Sequence, residues 1–176
     1  MRHLHIALLA LCTALASCAS MPKTPIPTAP HVDLQRFMGA WYVIASIPTF
    51  MEKNAFNAVE SYELNADGTI ATTFTFHKGS FDGPVKTMKP HGFVTDTASN
   101  ARWGMQFIWP IKAEYLIAHL DDQYSETIIA RTSRDYVWIM ARKPVLAAAD
   151  YDRLVAKVAA MGYDTSKLRP VPQRWP

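Results

Sequence analysis

From Trp41 to Arg142 the chain is a run of short segments that alternate apolar and polar side chains, each ended by a turn signal. Beyond them the apolar period changes from two residues to 3.6. The segments are Trp41–Ile47, Ala58–Leu64, Thr69–His77, Val85–Lys89 with a continuation past Pro90 to Val94, Ala101–Phe107, Glu114–Leu120, Thr127–Arg131 and Tyr136–Arg142. Pro48 ends the first, and Asn65-Ala66-Asp67-Gly68 joins the second to the third with the Asp-Gly pair that favours a tight hairpin. Asp121-Asp122-Gln123-Tyr124 and Thr132-Ser133-Arg134-Asp135 supply the last two turns. Tyr151, Leu154, Val155, Val158 and Met161 then mark one face of a helix within Leu146–Met161, stopped by Gly162 and suited to packing outside the sheet. Ahead of the strands, Asp33 and Gly39 bracket a short helical turn as N-cap and stop. Eight antiparallel strands with one trailing amphipathic helix can close into a barrel or stack as a sandwich, and the pattern alone leaves both open.

The 176 residues make one domain plus a leader, and 49% hydrophobic residues are enough for a substantial core and too many for a disordered chain. A net charge of +3, carried by scattered lysines and arginines, is too diffuse for a nucleic-acid footprint.

The N-terminus has its own logic. Arg2 precedes an apolar stretch from Ile6 to Ala16, and small residues lead to Cys18. This is the layout of a secretory signal, and the stretch is too short to span a bilayer as a helix. Leu15-Ala16-Ser17-Cys18 resembles the bacterial lipobox, which implies removal of residues 1–17 and acylation of Cys18. In such lipoproteins Ala19, rather than Asp, in the next position implies sorting to the outer membrane. The periplasmic face is the first expectation for the domain, and the residue pattern does not specify the face. The cysteine count agrees: only Cys12 and Cys18 exist, so the mature chain carries one thiol and forms no internal disulfide. An ordinary cleaved signal that leaves Cys18 free is the other reading. Residues 18–30, with Pro22, Pro25, Pro27 and Pro30, read as a tether that at about 3.1 Å per residue holds the domain up to roughly 35 Å from the bilayer. The domain proper is then expected over residues 31–176.

Gly39-Ala40-Trp41-Tyr42 resembles the Gly-x-Trp signature of the lipocalin family, Tyr115-Leu116-Ile117-Ala118-His119-Leu120-Asp121 its second block, and Arg142 its third. Phe50-Met51-Glu52-Lys53, Arg134 to Arg142 and Gly162 to Leu168 resemble the bacterial outer-membrane lipoprotein branch of that family, which is related to apolipoprotein D. The resemblance covers residues 31–171. It implies an eight-stranded up-and-down barrel, with the helical turn before it and the helix outside it, and a cavity for fatty acids or lysophospholipids. It also implies that Gly39, Trp41 and Arg142 close one end of the barrel, the guanidinium lying across the indole. A homodimer is known among such relatives, although no residue pattern here specifies one. Two departures stand out: His119 sits where an apolar residue is usual, and the disulfides of many animal lipocalins are missing.

Alternation assigns the cavity wall. The apolar parity contains Trp41, Val43 and Ala45, then Ile70, Phe74 and Phe76, then Trp103, Met105 and Phe107, then Trp138 and Met140. Tyr115 and Ile117 join them from the second block, and Tyr62 resembles an inward tyrosine of the family. The expected ligand contacts are therefore Glu60, Tyr62, Phe74, Phe76, Trp103, Met105, Phe107, Tyr115, Ile117, Trp138 and Met140. Aromatic and methionine walls suit a flexible acyl chain, yet the same residues would also fill a solid core. Glu60 shares parity with Tyr62, so it either enters an apolar chamber, paired or protonated, or is turned to solvent by a bulge.

No catalytic constellation is found. Gly-x-Ser-x-Gly, His-Glu-x-x-His, phosphate-binding and dinucleotide glycine motifs are missing from the sequence, and no cysteine lies in the barrel. His77, His91 and His119 have no metal-ligand spacing, His77 is expected to face outward, and Asp121 and Asp122 belong to a turn. Neither a cofactor nor a metal is expected. Three readings follow, in descending order: a membrane-anchored lipid carrier or store, an enzyme acting on a bound lipid, and an envelope interaction protein with a filled barrel.

Overall fold

The computed structural model describes residues 24–175. The signal segment and Cys18 lie outside the described residues. Eight antiparallel strands close on themselves: β1 (Gly39–Ile47), β2 (Ala55–Leu64), β3 (Ile70–Lys78), β4 (Val85–Met88), β5 (His91–Val94), β6 (Arg102–Ile108), β7 (Ile111–Leu120), β8 (Glu126–Ala130) and β9 (Val137–Ala141). β4 and β5 are halves of one barrel strand, interrupted at Lys89-Pro90, where proline cannot donate to the ladder; both pair with β3. With β4 and β5 taken as one strand, each strand pairs with its sequence neighbours, and the β1–β9 ladder from Tyr42↔Ala141 to Ile47↔Val137 seals the barrel. The sheet is closed, as the resemblance implies, and the outer side of β4 is left without a ladder.

Local chemistry explains the ends of the elements. In the β2–β3 hairpin Gly68 takes φ +81° and Asp67 accepts from the Thr69 backbone and hydroxyl, so the Asp-Gly signal acts as expected. The α1 turn (Leu34–Phe37) is capped by Asp33, which accepts from the Arg36 N–H. Helix α2 (Ala148–Ala160) ends before Gly162 at φ +84° and buries Leu154 and Val158 against Leu116, Ile128 and Ile139 on the outer wall. Arg153 ties it to Glu126 at 2.7 Å. A two-residue strand β10 (Arg169–Pro170) runs beside β1, and the tail continues along β2, where Gln173 donates to the carbonyls of Val43 and Ala58.

Two sequence expectations are corrected here. The proline-rich segment is not free from Thr24 onward: Ile26 is buried beneath α2, the Ala29 N–H donates to Ile117, and the Thr24 carbonyl accepts from Arg134. The packed unit therefore begins before residue 31. Ala45 faces the outer wall rather than the interior, because a register shift between Val43 and Ala45 reverses the parity of β1.

Candidate functional site

The barrel interior divides into a solid base and a hollow upper half. In the base, Phe37 from α1 lies against Trp41, Tyr62 and Trp103, with ring centroids 5.0–5.5 Å apart. The Trp41 indole N–H donates to the Phe37 carbonyl at 2.9 Å. Arg142 stacks on the Trp41 ring 3.9 Å from its centroid. Its Nη2 donates to the carbonyls of Arg36, Phe37 and Met38, and its Nη1 to that of Ala40 at 2.8 Å. Gly39 adopts φ +90°, and a side chain there would sit 3.4 Å from the guanidinium. The Gly-x-Trp motif and the distant arginine thus form one plug that ties α1 to the last strand.

Above the plug is a chamber of about 210 Å³, open at the end formed by the β1–β2, β3–β4, β6–β7 and β8–β9 connections. Glu60, Phe74, Met105, Tyr115 and Trp138 line its wall, with Phe107, Phe50, Met51, Tyr136 and Arg131 at the rim. Most of that surface is apolar; the polar exceptions are organised. Glu52, from the β1–β2 loop, accepts from the Trp138 indole N–H at 2.8 Å and from the Thr49 hydroxyl at 2.7 Å. Burial raises its carboxyl pKa and these two hydrogen bonds partly oppose the rise.

Glu60 points inward. Burial, reinforced by the neighbouring charge of Glu52, pushes it up to about 8, against a smaller opposing effect of its contact with Tyr62. It is therefore mostly protonated at neutral pH and presents a neutral hydroxyl to the chamber. A bulge does exist in β2, but it lies at Asn57, which takes φ 48°, between Phe56 and Val59. From Ala58 onward the inward parity is intact. Below Glu60 the hydroxyls of Tyr62 and Tyr115 share a short hydrogen bond, and the Tyr115 ring stacks on Trp103. Arg131 pairs with Asp135 at 3.4 Å, while its Nε is buried at the rim without a partner.

The expected contacts separate by depth. Glu60, Phe74, Met105, Phe107, Tyr115 and Trp138 line the chamber, although Phe107 is half exposed at its lip. Phe76 lines an adjoining rim groove with Phe50 and Met88. Tyr62, Trp103, Ile117 and Met140 do not reach the open chamber; they are packed into the solid part of the interior. The aromatic plug fills the lower part of the interior, so these four expected contacts pack against it rather than against the open chamber. His119 faces outward between Pro27 and α2, its Nε2 buried without a partner, because β7 shifts register between Ile117 and His119. It leaves the polarity of the chamber unchanged. His77 also lies outside, its Nδ1 3.2 Å from the Gly83 carbonyl, and the three barrel histidines are not brought together.

Glu52 escapes strand alternation because it sits in a connection, where a polar residue reads as solvated. Its one available signal was its place within Phe50-Met51-Glu52-Lys53, a charge next to two large apolar residues in a loop. Arg131 and Tyr136, by contrast, are terminal residues of segments that the sequence assigns to strands, Tyr136 on the parity of Trp138. The structure places both in the β8–β9 connection.

A closed barrel, plugged at one end and hollow at the other, with an apolar wall and few polar groups, defines a binder of small hydrophobic molecules. The lipocalin-like domain family matches residues 32–173, and the chain belongs to that family. It is 32% identical over 163 residues to temperature-induced lipocalin-1 of Arabidopsis thaliana, covering 86% of this chain and 84% of that protein. It is 25% identical over 171 residues to the outer membrane lipoprotein Blc of Escherichia coli K12, covering 95% of each. Mouse apolipoprotein D matches at 26% over 156 residues, 84% of this chain and 80% of that protein.

Proposed function

We propose that the protein is a non-enzymatic carrier or store of single-chain lipids, fatty acids or lysophospholipids, anchored by acylated Cys18 at the outer membrane. The observation that carries the reading is the apolar chamber with its ionisable groups sorted by depth. At about 210 Å³ it is smaller than the roughly 300–1,000 Å³ of pockets that engulf a whole drug-sized ligand. A slim acyl chain entering end-on suits that space, with the head left at the rim. A carboxylate or phosphate head left at the rim would meet the Arg131 guanidinium. The described residues of the site offer no activated nucleophile. The similarity to an outer membrane lipoprotein over nearly the whole chain, together with the lipobox, supports the location.

The test is native mass spectrometry of protein extracted gently from the envelope, followed by titration of the delipidated protein with palmitate and lysophosphatidylglycerol. Co-purifying single-chain lipid and saturable micromolar binding are expected. An empty protein that takes up neither lipid would overturn the reading, as would turnover of the bound lipid.

A further inference from the structure

Large apolar side chains are unevenly placed on this surface. Of the nine that are exposed among the described residues, seven surround the open end of the barrel. Trp109 is 83% exposed, Phe50 76%, Ile108 73% and Ile111 69%; Ile108, Trp109 and Ile111 form the tip of the β6–β7 hairpin. Isolated exposed apolar residues are ordinary, but a cluster on adjacent loop tips marks a contact surface. Tryptophan is the side chain best suited to the boundary between water and hydrocarbon.

Two independent observations say what the surface meets. The first is charge. Lys53, Lys78 and Lys86 stand in or beside the same loops, whereas the mouth acids are engaged: Asp82 with Arg174, Asp135 with Arg131 and Glu114 with Thr132. The opposite end carries Asp33, Asp67, Asp96, Asp121 and Asp122 beside Arg36, Arg102, Arg142 and Lys143, and has no such excess of cations. The second is the path of the chain. From α1 at the plugged end the N-terminal segment climbs the outer wall, and its Thr24 carbonyl accepts from Arg134 in the β8–β9 loop at 2.7 Å. The described chain thus begins beside the mouth at Thr24, and six residue steps, the separation from Cys18, span at most about 20 Å.

We propose that the mouth of the barrel is a bilayer-docking surface: Phe50 and the Ile108–Ile111 tip enter the interface of an anionic membrane, with the lysines against its head groups. Among the described residues no helix is long and apolar enough to cross a membrane, so the contact is interfacial. A mouth held on the bilayer lets an acyl chain pass between membrane and chamber without crossing water. That consequence rests on the carrier reading, but the docking itself does not.

The experiment uses the intact protein extracted from the envelope and reconstituted into vesicles of phosphatidylethanolamine and phosphatidylglycerol whose acyl chains are brominated. Bromine quenches tryptophan only on contact with the lipid. Trp109→Phe is expected to remove at least half of the quenching, and Ile108→Ser with Ile111→Ser to lower it for the remaining Trp109. Equal quenching in parent and Trp109→Phe would overturn the proposal. So would a rim covered by a second copy, seen as a dimer that the rim substitutions dissociate while Trp109 stays unquenched. Palmitate titration of the same variants separates the two readings. Lost quenching with unchanged palmitate affinity confirms docking as a distinct property. Intact Trp109 quenching in a protein that takes up no palmitate would sink the carrier and leave the docking standing.

Discussion

The two ends of the barrel solve opposite problems with the same residue types. At the plugged end, aromatic rings and an arginine are used up on each other: Phe37, Trp41, Tyr62 and Trp103 interlock, and Arg142 saturates main-chain carbonyls of α1 and β1. At the mouth, rings and an arginine are left with unused capacity: Trp138 faces a void, Trp109 faces solvent and Arg131 keeps an unpartnered Nε. A closed sheet without disulfides draws its stability from packing. Concentrating that packing at one end is what permits a cavity at the other.

The comparison predicts a separation of stability from binding. Trp41→Ala should cost about 3–5 kcal/mol, because a fully buried indole leaves a cavity that the sealed sheet cannot collapse. Arg142→Met, which keeps the stem over Trp41 and removes the donors, should cost about 2–3 kcal/mol. Urea unfolding measures both, and palmitate affinity of the folded fraction should hardly change. A plug substitution that weakened binding more than folding would erase the proposed division between the ends.

Trp138→Ala should behave inversely. It removes wall area from the chamber and the indole N–H from Glu52, so palmitate affinity should fall by about 1–3 kcal/mol, read by titration calorimetry. Its stability loss should be less than half that of Trp41→Ala, since Trp138 already borders empty space. An unchanged dissociation constant would show that ligand does not occupy this part of the chamber.

The strand pattern, the Asp-Gly hairpin, the helix stop at Gly162 and the plug motif were legible because each rests on local chemistry or on a period that survives along an element. Depth was not. Trp103 and Phe74 share an inward parity, yet one is plugged by Phe37, whose helical turn gave no sign of entering the barrel, and the other borders the void. Alternation also fails after a bulge, as at Ala45 and His119, where no glycine or proline marks the irregularity. In β2 the bulge did have a marker: Asn57, a residue that tolerates positive φ. The loops escaped altogether, and with them Glu52 and the apolar rim, because a loop residue has no periodicity to betray which way it turns.

Glu60 offers the finest test of the contrast, since it is a group that costs stability where the plug supplies it. In the unfolded chain a glutamate titrates near 4.5, and in the chamber Glu60 holds its proton up to about 8. Below the first value both states are protonated and nothing is lost. Between the two the unfolded chain releases a proton that the folded protein keeps, so folding weakens as pH rises, and the loss levels off above about 8. Glu60→Gln cannot ionise. Its unfolding free energy should match that of the parent near pH 4 and exceed it by about 4 kcal/mol at pH 8, with a flatter course between. The residual slope belongs to Glu52, raised in the same direction and no longer facing a second carboxyl. Parallel curves for parent and variant across that range would mean that Glu60 is ionised and solvated, and that water, not lipid tail, is at home in the upper barrel.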